Sequence, residues 1–174
     1  MKQVIKVKVL TGGCEPTFNE KGDWIDLRAA EDIQIDGPYA NALHKSRSER
    51  IRNVVNQKKL IPLGVAMKLP DGMEAIVAPR SSTAKNFNIM EANSIGIIDN
   101  SYCGPDDQWF FPAIAIDSAV IHKGDRICQF KIQPSQRATR KQKIRWLLSN
   151  GVELEFVDTL TGSNRGGNGS TGVR

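Results

Sequence analysis

Apolar residues in this chain come in short runs, rich in β-branched side chains and closed within a few positions by Gly, Pro or Asp. Ile61 to Met67, Met73 to Ala78, Ser94 to Ile98, Phe110 to Ile116, Arg126 to Ile132 and Val152 to Val157 are the main ones. Runs of this length and composition read as strands. The N-terminus, MKQVIKVKVL, alternates lysine with valine and isoleucine. That period of two predicts a first strand, and it leaves no uninterrupted apolar stretch for a signal peptide, so a cytoplasmic protein is expected. Two stretches break the pattern. Tyr39 to Lys59 carries Ala42, Leu43, Ile51, Val54 and Val55 at roughly helical intervals among basic residues, and Thr139 to Asn150 places Arg140, Lys141, Lys143 and Arg145 ahead of Trp146, Leu147 and Leu148. Both predict basic helices, on a domain that is otherwise all-β.

A chain of 174 residues with 40% hydrophobic content is long enough for one domain with its own core. We expect residues 1–160 to form it and residues 161–174 to be a mobile tail. The net charge of +5 suits a polyanionic partner, which nucleic acid and free nucleotides satisfy equally. Cys14, Cys103 and Cys128 contain no CxxC spacing, and neither His44 nor His122 lies at a zinc-ligand interval, which argues against a disulfide scaffold or a zinc site.

Four clusters carry candidate chemistry. After the strand at Met73 to Ala78 come Arg80, Ser81 and Ser82, a guanidinium beside two hydroxyls. They suit phosphate oxygens, or else cap a short helix. In the second cluster, Asn93 to Gly104, Ile95, Ile97 and Ile98 are expected in the core and Gly96 permits close backbone approach. Asp99 at the strand end is placed to act as a general base on water, Asn93 can donate and accept at once, and Tyr102 offers a flat face. A plain hairpin turn is the alternative for Asp99 to Gly104. The third cluster, Gly124 to Gln129, is expected to set Arg126 and Gln129 on opposite faces of a strand, so that only one of them faces a given ligand. The bland alternative puts Arg126 in a structural ion pair and leaves Gln129 exposed.

The fourth is the C-terminal string NRGGNGSTGVR. It adds nothing to a core, so it is a free end or a tail that closes over a ligand. Arg165, Gly167, Gly169, Ser170 and Thr171 supply donors and close backbone approach suited to phosphates. No strand–turn–helix context supports a Rossmann turn here, and no lysine precedes Ser170 as a Walker loop would need.

In order and at compatible separations, PRSSTA, NSIGIIDNSYCG, GDRICQ and RGGNGSTG resemble the motifs of the trimeric dUTPase family, and IDLRA at Ile25 to Ala29 resembles its first motif. The resemblance implies a jelly-roll-like β-barrel, here with two short helical insertions, and a homotrimer whose active sites draw on several subunits. It implies hydrolysis of dUTP to dUMP and pyrophosphate by in-line attack of water on the α-phosphorus, with Asp99 activating the water and Gln129 holding the geometry around the phosphate. Arg80, Ser81 and Ser82 would bind phosphate oxygens, Asn93 and Gly96 would read uracil, and Tyr102 would pack on deoxyribose. Mg2+ is expected on the triphosphate, reached by Asp26 through a water.

The sequence departs from the family pattern in three ways. Asn168 stands where a phenylalanine usually stacks on the uracil, a contact of ~1 to 3 kcal/mol. Trp109 and Trp146 are the candidate replacements, with core packing as the alternative for each. The segments 39–59 and 135–150 look enlarged and basic, which fits either solvated helices or a contact with nucleic acid or a regulatory protein. Ser82 occupies a place often held by glycine. Two other functions stay open: a non-catalytic nucleotide-binding regulator with this fold, and a dCTP deaminase. The deaminase family uses a glutamate in the strand after the hairpin, whereas Phe110 to Ile116 has none.

Overall fold

Alternation decides most of the architecture. Along Gln108–Ala115 the side chains of Trp109, Phe111, Ala113 and Ala115 point inward while their neighbours are partly open, and Gln3, Ile5 and Val7 do the same at the N-terminus. The computed structural model describes residues 1–37 and 57–167. Within them the strands are β1 (Gln3–Val9), β2 (Thr17–Phe18), β3 (Ile25–Arg28), β4 (Ile33–Ile35), β5 (Lys58–Lys68), β6 (Met73–Pro79), β7 (Ile89–Glu91), β8 (Gly96–Ile98), β9 (Gln108–Ala115), β10 (Ala119–Ile121), β11 (Arg126–Pro134) and β12 (Val152–Phe156). The helices are α1 (Thr83–Phe87) and α2 (Arg140–Leu147).

The strands form two five-stranded sheets, ordered β12-β1-β5-β9-β7 and β2-β3-β11-β6-β8, and a two-stranded ribbon, β10-β4. Facing side chains of the two large sheets make one core. Trp109 of β9 meets Phe130 of β11 edge-to-face, with ring centroids 5.2 Å apart, so the sheets pack on each other through aromatic side chains. The expected barrel is not closed by hydrogen bonds, and the all-β, jelly-roll-like layout is that of two open sheets. Gly64 shows how β5 serves both ends of its sheet. It adopts a φ of +68° where the register with β9 shifts, and a Cβ there would sit 2.9 Å from that of Cys14.

The first expected helix, from Tyr39, falls mostly outside the described residues, but its last two positions, Lys58 and Lys59, belong to β5. Pairing with Ala113 and Ile114 outweighs the local basic pattern there. The second expected helix is present and shorter. Thr139 caps α2 through a reciprocal box with Gln142, its hydroxyl accepting from the Gln142 N–H at 3.3 Å. No residue of α2 is buried; Trp146 leans on the core, while Ile144 and Leu147 face outward. Among the described residues no helix is long and apolar enough to cross a membrane. All three cysteines are free, with Cys14 and Cys128 buried and Cys103 half-buried.

Candidate active site

Asp26 is the centre of one polar group. It lies on β3 between Ile25 and Leu27, 1% exposed, opposite Gln129 of β11, which is itself opposite Ala78 of β6. Opposed residues of an antiparallel pair share a face, so Asp26 and Gln129 project together. Burying a carboxylate is costly unless cations meet it. Two do so: Arg80 Nε stands 2.9 Å from Oδ1, and Arg126 Nη1 donates to Oδ2 at 3.1 Å. The Arg80 contact is an ion pair rather than a directed hydrogen bond, which leaves Oδ1 without a hydrogen-bond partner among the described residues.

A β-bulge explains how Arg126 arrives there. Arg126 pairs with Arg28 and Cys128 with Leu27, so Ile127 is an extra residue on β11 and the alternation slips by one. Arg126 and Gln129 therefore both serve the Asp26 side of the sheet, which corrects the expectation that they part to opposite faces. Next to Arg80, Ser82 sits at the N-cap position of α1, yet its side chain makes no capping hydrogen bond. The cap reading fails for it, and Ser81 is exposed. The helix is instead tied down by Thr83, whose buried hydroxyl donates to the Ile127 carbonyl at 2.7 Å.

A second group forms on the turn before β8, on β8 itself and on the loop from β8 to β9, which passes from one large sheet to the other. Gly96 is buried where β8 pairs with Val77 of β6, and an added Cβ would meet Val77 Cβ and Glu91 Oε1, each at 3.1 Å. Asn93 is exposed in the turn before it, next to Ser94, which takes a φ of +65°. Asp99 follows β8 directly. Its carboxylate is 59% exposed and accepts from Arg165 Nη1 at 2.9 Å, while the same nitrogen reaches Ser101 Oγ at 3.0 Å. The Tyr102 hydroxyl donates to the Gln108 carbonyl at 2.7 Å, and burial, helped by the Asp107 charge, raises its pKa. A cavity of about 630 Å³ opens here, lined by Asp99, Asn100, Ser101, Arg137 and Arg165. Among the described residues no hydrogen bond or ion pair joins this group to the one around Asp26.

The dUTPase family model matches residues 38–146, well over half of the chain. The chain belongs to the dUTPase family. It is 47% identical over 155 residues to the SPbeta prophage-derived deoxyuridine 5'-triphosphate nucleotidohydrolase of Bacillus subtilis, covering 89% of this chain and 87% of that protein. A deoxyuridine 5'-triphosphate nucleotidohydrolase of Rickettsia canadensis is 38% identical, over 68% of this chain and 72% of its own. In fold it is similar to the dUTPase of Streptococcus mutans, with a TM-score of 0.60 at 20% identity, over 77% of this chain and 98% of the other. A mutant dUTPase from Staphylococcus aureus phage phi11, in which a structural Mg(II) ion is coordinated, gives 0.58 at 17% identity over 79% and 95%.

Within this dUTPase, several expected positions differ from their sequence reading. Ile95 and Ile97 are 45% and 58% exposed and only Ile98 leans on the core, so Asp99 stands on an open edge rather than in a buried strand. The reason is topological: β8 is the outermost strand of its sheet, with one side unpaired. Trp109 is fully buried and Trp146 leans on the core, as the core-packing alternative for each expected. Asn168, Gly169, Ser170 and Thr171 lie outside the described residues.

Two acidic residues escaped the sequence reading. Asp107, 2% exposed, accepts from the backbone N–H of Gly104, Arg165 and Gly166. Burial by itself raises its pKa, but backbone hydrogen bonds from Arg165, Gly104, Gly166 and Cys103 outweigh it and hold the carboxyl below its ordinary range. Glu91, 7% exposed on β7, has no hydrogen-bond partner for either carboxyl oxygen among the described residues, and burial raises its pKa to about 7. Both lie in runs where a lone acid among turn or strand residues gives no local signal.

Magnesium has a narrow fit here. Among the described residues no cluster of three or more His, Cys, Asp or Glu could hold a metal directly. One carboxylate oxygen of Asp26 without a hydrogen bond suits a water-bearing Mg2+ carried by phosphates rather than an ion caged by protein.

Proposed function

We propose that the chain hydrolyses dUTP to dUMP and pyrophosphate by in-line attack of water on the α-phosphorus. The observation that carries this is the placement of Asp99, an exposed carboxylate at the end of β8 that is paired with the Arg165 guanidinium while its backbone carbonyl accepts from the Tyr102 N–H. Asp99 takes the water proton as the oxygen bonds to phosphorus, and the bond from that phosphorus to the bridging oxygen breaks to release pyrophosphate. Gln129, in register with Asp26, holds the α-phosphate in line. Arg80, Ser81, Ser82 and Arg165 neutralise and bind phosphate oxygens, joined by Gly167, Gly169, Ser170 and Thr171 of the tail, residues 161–174. Asn93 before β8 and the backbone at Gly96 read the uracil edge, and Tyr102 of the loop after β8 packs on the sugar. Mg2+ on the triphosphate would be held through water by Asp26 and would supply further neutralisation of phosphate charge.

The separation of the phosphate-binding group from the Asp99 loop supports a site completed across subunits, and we take the working form to be a homotrimer in the cytoplasm. Exposed Ile97, Val120 and Met90 are apolar surface that such an assembly would cover. The basic, outward-facing α2 is the described part of the surface on which a nucleic acid or regulatory partner was expected. Incubation with dUTP, dCTP and dTTP plus magnesium, following pyrophosphate and ammonia, tests the reaction. Pyrophosphate from dUTP alone is expected. Ammonia from dCTP marks a deaminase, and nucleotide binding without turnover marks a regulator; either result refutes the proposal.

A further inference from the structure

The root of the tail is built into the loop between β8 and β9 more firmly than a glycine-rich end requires. Asn164 Nδ2 donates to Asp106 Oδ2 at 2.7 Å, and Asn164 Oδ1 accepts from the Asp106 N–H at 2.9 Å. One residue on, the Arg165 N–H lies 3.0 Å from both oxygens of Asp107, and the Gly166 N–H lies 3.1 Å from Oδ1. Three glycines make the approach possible. A Cβ on Gly104 would collide with the backbone of Asn164, one on Gly162 would stand 2.6 Å from Cys103 Sγ, and one on Gly167 would stand 2.9 Å from the Tyr102 hydroxyl. The result of this seating is that the Arg165 guanidinium lands on Asp99 and Ser101.

We propose that Asp107 is the positioning residue that seats the tail root and aims Arg165 at Asp99 and Ser101 on the same loop. A buried anion that accepts from three or more backbone N–H groups is a rigid anchor, because it ties several backbone positions to one side chain. Asp107 touches neither substrate nor reacting atoms. Its effect passes through Arg165: with the root seated, the guanidinium needs no ordering when a triphosphate arrives, and the chain beyond Gly167 departs from a fixed point. This rests on the dUTP-hydrolase reading above, so its test includes a readout that needs no turnover.

In the full-length protein, Asp107→Asn keeps the size of the side chain but turns an NH2 group toward N–H donors. Tryptic cleavage of the Arg165–Gly166 bond should then accelerate by roughly tenfold, and kcat/KM for dUTP should fall by roughly tenfold, mostly through KM. In an Arg165→Ala background the same substitution should change kcat/KM by less than about twofold, since the residue it positions is gone. A full tenfold loss in both backgrounds would show that Asp107 acts on the loop itself and overturn the proposal. Should Asp107→Asn fail to fold, Asp106→Ala loosens the same root from an exposed position and should raise cleavage at Arg165 by about threefold. Unchanged cleavage in every folded variant also overturns it. Absence of dUTP turnover in the unmodified protein, with cleavage behaving as expected, refutes the hydrolase reading alone.

Discussion

Glu91 should make this protein lose stability as the pH rises from mildly acidic to neutral, against the usual trend for carboxylates. Its side chain is enclosed beneath Gly96, and burial raises its pKa from the ordinary 4.5 to about 7. Between those two values the native protein keeps a proton that the unfolded chain has released, so the native state binds more protons and stability falls with pH. Over the whole window the loss amounts to about 3 kcal/mol, and it levels off above about 7. Glu91→Gln keeps the shape without the charge. Its own burial cost is independent of pH, so the variant-minus-parent difference should climb by about 3 kcal/mol between acid and pH 8, equivalent to roughly 6 to 12 °C in Tm. Urea unfolding of both proteins at one fixed concentration, stepped through this range, measures it, since assembly would otherwise mix concentration into the result. Parallel stability curves for the two proteins would refute the reasoning, because they would mean that Glu91 titrates alike in the folded and unfolded chain.

Other substitutions test the site and its supports. Asp99→Asn should lower kcat for dUTP by at least about a hundredfold while nucleotide binding, read by calorimetry, persists. Removal of Asn164 to Arg174 should lower turnover by at least about tenfold, and unchanged turnover would refute the role given to the tail. Thr139→Ala should cost about 1 kcal/mol of stability through the lost cap of α2, seen in thermal melts, with kcat unaffected because the helix lies outside both polar groups. In acid, the hydrogen-bonded Asp107 adds stability that is present above its unfolded pKa, near 3.8, and is lost as the pH falls through its lower folded value. Asp107→Asn should therefore flatten the acid limb of the stability curve.

Strand identity was legible because it depends on spacing: the period of two in Gln3–Val9 and the short β-branched runs survive as β1, β5, β6, β9, β11 and β12. The helix α2 was legible too, within the stretch Thr139 to Asn150 that predicted it, whereas its Thr139–Gln142 cap appeared only in the structure. Candidate chemistry-bearing residues could be named because guanidinium, hydroxyl, carboxylate and glycine betray themselves by type, although Asp107 and Glu91 were missed.

What each of those residues touches was not legible, since contacts depend on which strands become neighbours. Arg126 reaches Asp26 only because an extra residue at Ile127 slips the phase of β11, a shift that local sequence does not signal. Asp99 is open because β8 ends a sheet, although its isoleucines read as core. Lys58 and Lys59 look helical in sequence and are strand because β9 was there to pair with. Asp107 and Glu91 gained their character from long-range enclosure: one met backbone donors from a segment 58 residues away, the other met none. Residue type and spacing thus determined the elements and the chemistry this chain can offer. Register, edge and burial were decided by tertiary structure alone, because desolvation and hydrogen-bond satisfaction depend on neighbours that are distant in the chain.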